Sequence, residues 1–106
     1  MQPTQDAPTL TSPEVVEAFR THLEAARGHS PHTVRAYVSD VEHVLGFARR
    51  RGVEWSQVDL PLLRSWLASM VASGAARATV ARRGAAVRAF YAWAAECGHL
   101  PSDPAL

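Results

Sequence analysis

Hydrophobic residues along this chain recur three and four positions apart, which is the period of an amphipathic α-helix. The pattern predicts four helices, and proline or glycine marks most of their borders. The first is predicted to begin with Ser12 as N-cap and Pro13 as its first residue, and Gly28 ends it. Its apolar positions are Val15, Val16, Phe19, Leu23 and Ala26.

The second helix is predicted to start at Ser30-Pro31 and to stop at Gly52. Its apolar stripe consists of Val34, Tyr37, Val38, Val41, Val44, Leu45 and Ala48. A short segment follows, in which Val53, Trp55 and Val58 are expected to pack inward. Asp59 then caps a third helix that Gly74 closes, and a fourth runs from about Arg77 to Glu96.

No segment alternates apolar and polar residues over the length of a strand. The predicted fold class is therefore all-α, a compact four-helix bundle with short loops. A chain of 106 residues, 47% of them hydrophobic, supports one domain. We expect a disordered leader at 1–11, the domain at 12–98 and a linker at 99–106.

The single cysteine, Cys97, allows no internal disulfide, and we expect it to be packed as a small hydrophobic residue. This usage suits a reducing compartment, so a cytoplasmic location is expected. No apolar run approaches the roughly 18 residues of a membrane span, and we predict no membrane partner.

The net charge of +1 conceals an uneven distribution. Residues 60–95 contain five arginines and no acid, whereas residues 1–59 contain six arginines and eight acids. A basic stretch of this kind is typical of a nucleic-acid contact, although a solvated helix face explains the charge equally well.

Residues suited to catalysis or metal binding are not grouped. The five histidines have no zinc-ligand spacing, the acids are expected on outer helix faces, and Tyr37 and Tyr91 lie on apolar stripes. We therefore predict no catalytic residue, no metal site and no cofactor.

Two helix starts are the candidate binding surface. The first turns of the second helix offer Ser30, His32, Thr33 and Arg35, and the fourth helix offers Arg77, Thr79, Arg82 and Arg83. Free N–H groups at a helix start and arginine side chains suit phosphates and base edges. Ser30 and Thr33 also serve as helix caps, and Arg83 and Arg88 have a structural alternative in which their stems cover apolar surface. Arg82 is expected to project away from the core.

Several ordered motifs resemble the core-binding domain of tyrosine recombinases, closest to the Xer type. They are Phe19-x3-Leu23, Ser30-Pro31-His32-Thr33-x3-Tyr37-x2-Asp40, the run from Arg82-Arg83-Gly84 to Phe90-Tyr91-x-Trp93, and Asp103-Pro104-Ala105. The resemblance covers about residues 13–106. The family usually has Leu at Gly84 and Ser at Ala85, and both positions depart from it here.

The resemblance implies a SAM-like domain that forms one half of a clamp around a duplex DNA recombination site, with the second and fourth helices crossing the major groove. It implies further partners: a C-terminal catalytic domain after the linker, and other protomers in a tetramer assembled on DNA. Two other interpretations stay open. One is a helix-turn-helix regulator, and the other is a helical protein–protein module, which an exposed Trp93 or an apolar patch on the first helix would favour.

Overall fold

The computed structural model describes residues 10–26 and 28–106, and these form four α-helices and one short 3₁₀ turn. The helices are α1 (Ser12–Ala25), α2 (Pro31–Arg50), α3 (Leu60–Ala72) and α4 (Arg77–Glu96), with the 3₁₀ turn at Trp55–Gln57. No strand occurs in the described ranges. The predicted all-α four-helix fold is confirmed. Of the predicted leader, residues 1–9 lie outside the described part of the chain.

Local signals explain most helix ends. Ser30 and Asp59 cap α2 and α3 as predicted, each accepting a hydrogen bond from a backbone N–H of the first turn. Gly52 and Gly74, just after these helices, have φ of 73° and 85°, a conformation that costs other residues a steric penalty.

The predicted N-cap of α1 is wrong by one residue, because Thr11 and not Ser12 occupies it. The Thr11 hydroxyl accepts a hydrogen bond from the Glu14 N–H, and the Glu14 carboxylate accepts one from the Thr11 N–H. This reciprocal capping box satisfies two backbone donors, whereas Ser12 would satisfy one.

α2 packs against all three other helices, and α4 packs against α2 and α3. An aromatic cluster lies in the core: Phe90 meets Phe19 and Tyr91 edge to face, with ring centroids 5.3 and 4.8 Å apart. The buried Tyr91 hydroxyl donates to the Trp55 carbonyl at 2.7 Å, and burial raises the pKa of Tyr91 above its ordinary value. The indole N–H of Trp55 donates to the Leu10 carbonyl at 2.7 Å, so the chain just before α1 is tied to the core.

Cys97 contradicts its prediction, since it is exposed. It stands at the C-cap of α4, one residue before Gly98, whose φ of 79° ends the helical path of the chain. The usual preference of a free cysteine for burial is therefore not met at this exposed helix end.

Candidate nucleic-acid interface

The start of α2 presents a polar first turn to solvent. Ser30, His32 and Arg35 are exposed and Thr33 is half-buried. The Ser30 hydroxyl lies 3.0 Å from the Thr33 hydroxyl and accepts the Thr33 N–H at 3.1 Å. Both hydroxyls therefore stabilise the helix start, and each retains hydrogen-bonding capacity toward solvent.

The start of α4 differs because its N-cap residue, Ala76, has no side chain that can cap it. Arg77 is exposed and Thr79 half-buried, and Arg77 forms no ion pair with any residue in the described ranges. This turn therefore combines uncapped backbone donors with an exposed arginine that has no ion-pair partner among the described residues, an arrangement suited to anions.

The prediction that Arg82 projects away from the core is wrong, because its guanidinium turns back toward α2. Its Nε donates to Asp40 Oδ2 at 3.0 Å and its Nη2 donates to Asp40 Oδ1 at 2.7 Å. These bonds raise the pKa of Arg82 above its ordinary value, and the negative charge of Asp40 adds to the effect. The Arg82 side chain nevertheless remains 49% exposed.

Arg83 lies beside the same carboxylate. Its Nε is 3.5 Å from Asp40 Oδ1, and its Nη1 donates to the sulfur of Met70 at 3.5 Å. The side chain is 25% exposed, which agrees with the structural alternative considered for it. Arg82 and Arg83 are thus brought together, whereas the polar first turn of α2 lies about ten residues, or roughly 15 Å along the helix, before Asp40.

Asp40 is the residue that sequence reasoning missed, because acids were expected on outer faces and Asp40 is only 1% exposed. A signal was present: Tyr37, Val44 and Phe47, which stand three, four and seven residues away, flank it on the helix surface. A carboxylate among apolar neighbours needs a partner, and the two arginines of α4 supply it.

His43 lies one turn beyond Asp40 and joins α2 to α3 by a hydrogen bond. Its Nδ1 accepts the indole N–H of Trp66 from α3 at 2.9 Å, and its Nε2 lies 3.4 Å from Arg83 Nη1. Partial desolvation of the His43 ring, which remains exposed overall, lowers its pKa, and the positive charges of Arg83 and Arg50 lower it further, against an opposing effect of Asp40. The ring is neutral at pH 7, with Nδ1 as its accepting nitrogen.

Other site types receive no support within the described ranges. No group of three His, Cys, Asp or Glu side chains gathers where it could hold a metal ion. No helix among the described residues is both long and apolar enough to cross a membrane.

Three helices packed around α2, with Arg82 and Arg83 of α4 paired to the buried Asp40 and Arg77 exposed at the start of α4, define an all-α domain with cationic side chains along α4. Over residues 16–98 the chain matches the family described as phage integrase, N-terminal SAM-like domain, and it belongs to that family. The resemblance drawn from the sequence motifs is confirmed.

Curated relatives agree with this assignment. The chain is 47% identical over 91 residues to the tyrosine recombinase XerC of Mycobacterium leprae (strain TN), covering 86% of this chain and 31% of the relative. It is 44% identical to proteins of the same name from Mycobacterium sp. (strain KMS) and Mycobacterium tuberculosis (strain ATCC 25177 / H37Ra), covering 86% of this chain and 31% and 30% of those relatives. The chain therefore spans about a third of the length of these relatives and corresponds to their N-terminal region. No solved structure matches it significantly.

Proposed function

We propose that this chain binds duplex DNA through the starts of α2 and α4, as one half of the clamp that a site-specific tyrosine recombinase closes around its recombination site. The observation that carries the proposal is the start of α4, which is exposed and has no side-chain cap. It lies within residues 60–95, which contain arginines and no acid, in a chain that belongs to the phage integrase SAM-like family. The proposed contacts are Ser30, His32, Thr33, Arg35, Arg77, Thr79, Arg82 and Arg83.

The whole recombinase, on this proposal, cuts and rejoins DNA in the cytoplasm, for chromosome-dimer resolution or integration. Its strand transfer is carried out by a catalytic domain, to which residues 99–106 lead from a DNA-binding domain at 12–98. The protomers assemble as a tetramer on DNA. The isolated chain is expected to bind weakly, because half a clamp makes few contacts.

Titration of fluorescent duplex DNA at low and moderate salt tests the proposal. Arg77→Ala is the cleanest variant, since Arg77 has no ion-pair partner within the described residues. We expect weaker binding and a shallower salt dependence, because each phosphate contact contributes about 0.9 to the slope of log K against log salt concentration.

Arg20→Ala is the matched control, because it removes the same charge from an exposed pair with Glu17 on α1. It should leave binding nearly unchanged. If the chain fails to bind duplex DNA even at low salt, the DNA-binding proposal is wrong. If it binds and both Arg77→Ala and Arg82→Ala bind equally well, the proposed surface is wrong.

The alternative of a protein–protein module relied on an exposed Trp93 or an apolar patch on α1. Trp93 is 8% exposed, and Val15, Val16, Phe19 and Leu23 of α1 face the core. The only large hydrophobic side chains exposed in the described ranges are Val71 and Leu106, so no observation favours this alternative. The helix-turn-helix interpretation is not favoured either, because α4 is a long helix of 20 residues.

A further inference from the structure

We propose that Asp40 is a positioning residue for DNA binding: it holds one edge of the Arg82 guanidinium so that the opposite edge is presented to a planar pair of acceptor atoms on DNA. The inference rests on the proposed function and adds to it a residue that does not itself contact DNA.

The geometry of the ion pair supports this role. A guanidinium carries five N–H groups in a plane, and Asp40 occupies the edge formed by Nε and Nη2. The remaining N–H groups, on Nη1 and on the outer side of Nη2, form a second two-pronged edge. Because Asp40 is 1% exposed and Arg82 is 49% exposed, the bonded edge faces the protein and the free edge is open to solvent.

The rigidity of the carboxylate makes the arrangement more than a surface ion pair. Asp40 is buried on α2, and its Oδ1 also lies 3.5 Å from Arg83 Nε, an ion-pair contact without a hydrogen bond, so a second guanidinium stands beside it. Arginine normally loses much side-chain freedom when it binds. Arg82 has already lost that freedom in the free protein, so DNA binding need not restrict it again.

Charge considered alone predicts the opposite role for Asp40. The cluster of Asp40, Arg82 and Arg83 has a net charge of +1, and removing the carboxylate would raise it to +2. A more positive surface should bind DNA more tightly. The positioning role predicts weaker binding, and this difference in sign makes the proposal testable.

Asp40→Asn is the central variant, because it removes the charge and preserves the shape of the side chain. We expect duplex binding about tenfold weaker than that of the wild type, since one charge-assisted two-pronged contact is no longer pre-formed. Glu42→Gln is the matched control: it makes the same charge change on α2, at an exposed residue with no ion pair among the described residues. It should bind as tightly as the wild type or slightly more tightly.

The two acceptor atoms have two possible sources on DNA, the oxygens of a phosphate or O6 and N7 of guanine. Parallel titrations with an A·T-only duplex and a G·C-containing duplex distinguish them. If Asp40→Asn loses the same affinity for both duplexes, the acceptor is phosphate. If it loses affinity only for the G·C duplex, the acceptor is guanine. Either result supports the positioning role.

Failure of this inference differs from failure of the proposed function. If the wild type binds DNA and Arg77→Ala weakens binding, but Asp40→Asn binds as tightly as the wild type or more tightly, the positioning role is wrong. If the wild type does not bind, the proposed function itself fails.

A measurement on the wild type covers the case in which Asp40→Asn does not fold. The ¹⁵N-resolved Nε–H signal of Arg82, assigned with Arg82→Lys, should exchange slowly with water both before and after DNA is added. Exchange as fast as that of a free arginine, or loss of the protection on DNA binding, would overturn the proposal.

Discussion

Replacing Gly84 with alanine should stabilise this domain. Gly84 is buried in the middle of α4, where the family usually has leucine, and its φ is not in the left-handed region. Glycine therefore has no conformational advantage there. It costs about 1 kcal/mol relative to alanine in a helix interior.

The surroundings of Gly84 also accept a methyl group. An added Cβ would lie 3.8 Å from Leu67 Cδ2, an ordinary contact, and 3.4 Å from Arg88 Nη1, the mobile end of a long side chain. Gly84 also lines a cleft of about 90 Å³ between α3 and α4. Burying the methyl group adds up to about 0.8 kcal/mol. The expected gain in unfolding free energy is therefore between about 1 and 2 kcal/mol.

Urea denaturation followed by circular dichroism measures this gain, and a thermal scan should show the midpoint rising by roughly 4–8 °C for each kcal/mol. Gly46→Ala is the matched control, because Gly46 lies inside α2 and its added Cβ would meet only arginine side-chain ends at 3.5 and 4.0 Å. The unfolding free energy of Gly46→Ala should rise only by the helix-propensity contribution of about 1 kcal/mol. If Gly84→Ala lowers stability while Gly46→Ala raises it, α3 and α4 require the glycine for close packing and the reasoning is refuted.

Three further predictions concern stability. Acidification below about pH 6.5 should destabilise the domain, because partial desolvation and the charge of Arg83 lower the pKa of His43 in the folded state. The unfolded chain then takes up a proton that the folded chain resists. Urea titrations between pH 7 and 5 measure this loss of unfolding free energy. Tyr91→Phe should cost about 1–2 kcal/mol, since the Trp55 carbonyl loses its buried donor. Thr11→Ala should cost about 1 kcal/mol by removing the hydroxyl half of the capping box, and both losses are measurable by urea denaturation.

Each of these predictions has its own control. The contribution of His43 is complete above pH 6.5 and falls as the pH decreases, so His43→Gln should show a flatter profile; parallel profiles would contradict the assignment. Tyr37→Phe is the control for Tyr91, because Tyr37 is half-buried and its hydroxyl forms no hydrogen bond with another described residue. Thr21→Ala, an exposed change within α1, is the control for Thr11, and an equal loss in both would show that the cap contributes nothing.

Much of the fold could be predicted from the sequence, because helix borders depend on short-range chemistry. The caps Ser30 and Asp59 act within three residues, and Gly52 and Gly74 supply local backbone conformations. Where two such signals overlapped, at Thr11 and Ser12, the pattern indicated the helix but gave the wrong cap, because both residues satisfy simple N-cap rules and only one completes the reciprocal bonds.

The candidate site divides in the same way. The sequence by itself determined that residues 60–95 carry arginines without acids and that two helix starts are polar, since both are properties of neighbouring residues. Only the tertiary structure decided that Arg82 meets Asp40, 42 positions earlier in the chain. Helical periodicity gives the direction of a Cβ atom, but a long arginine side chain turns toward whichever carboxylate the packing of α2 against α4 brings within reach. That packing changed Arg82 from a free cation into a held one, and the carboxylate that holds it, Asp40, lies buried beneath the binding surface we propose.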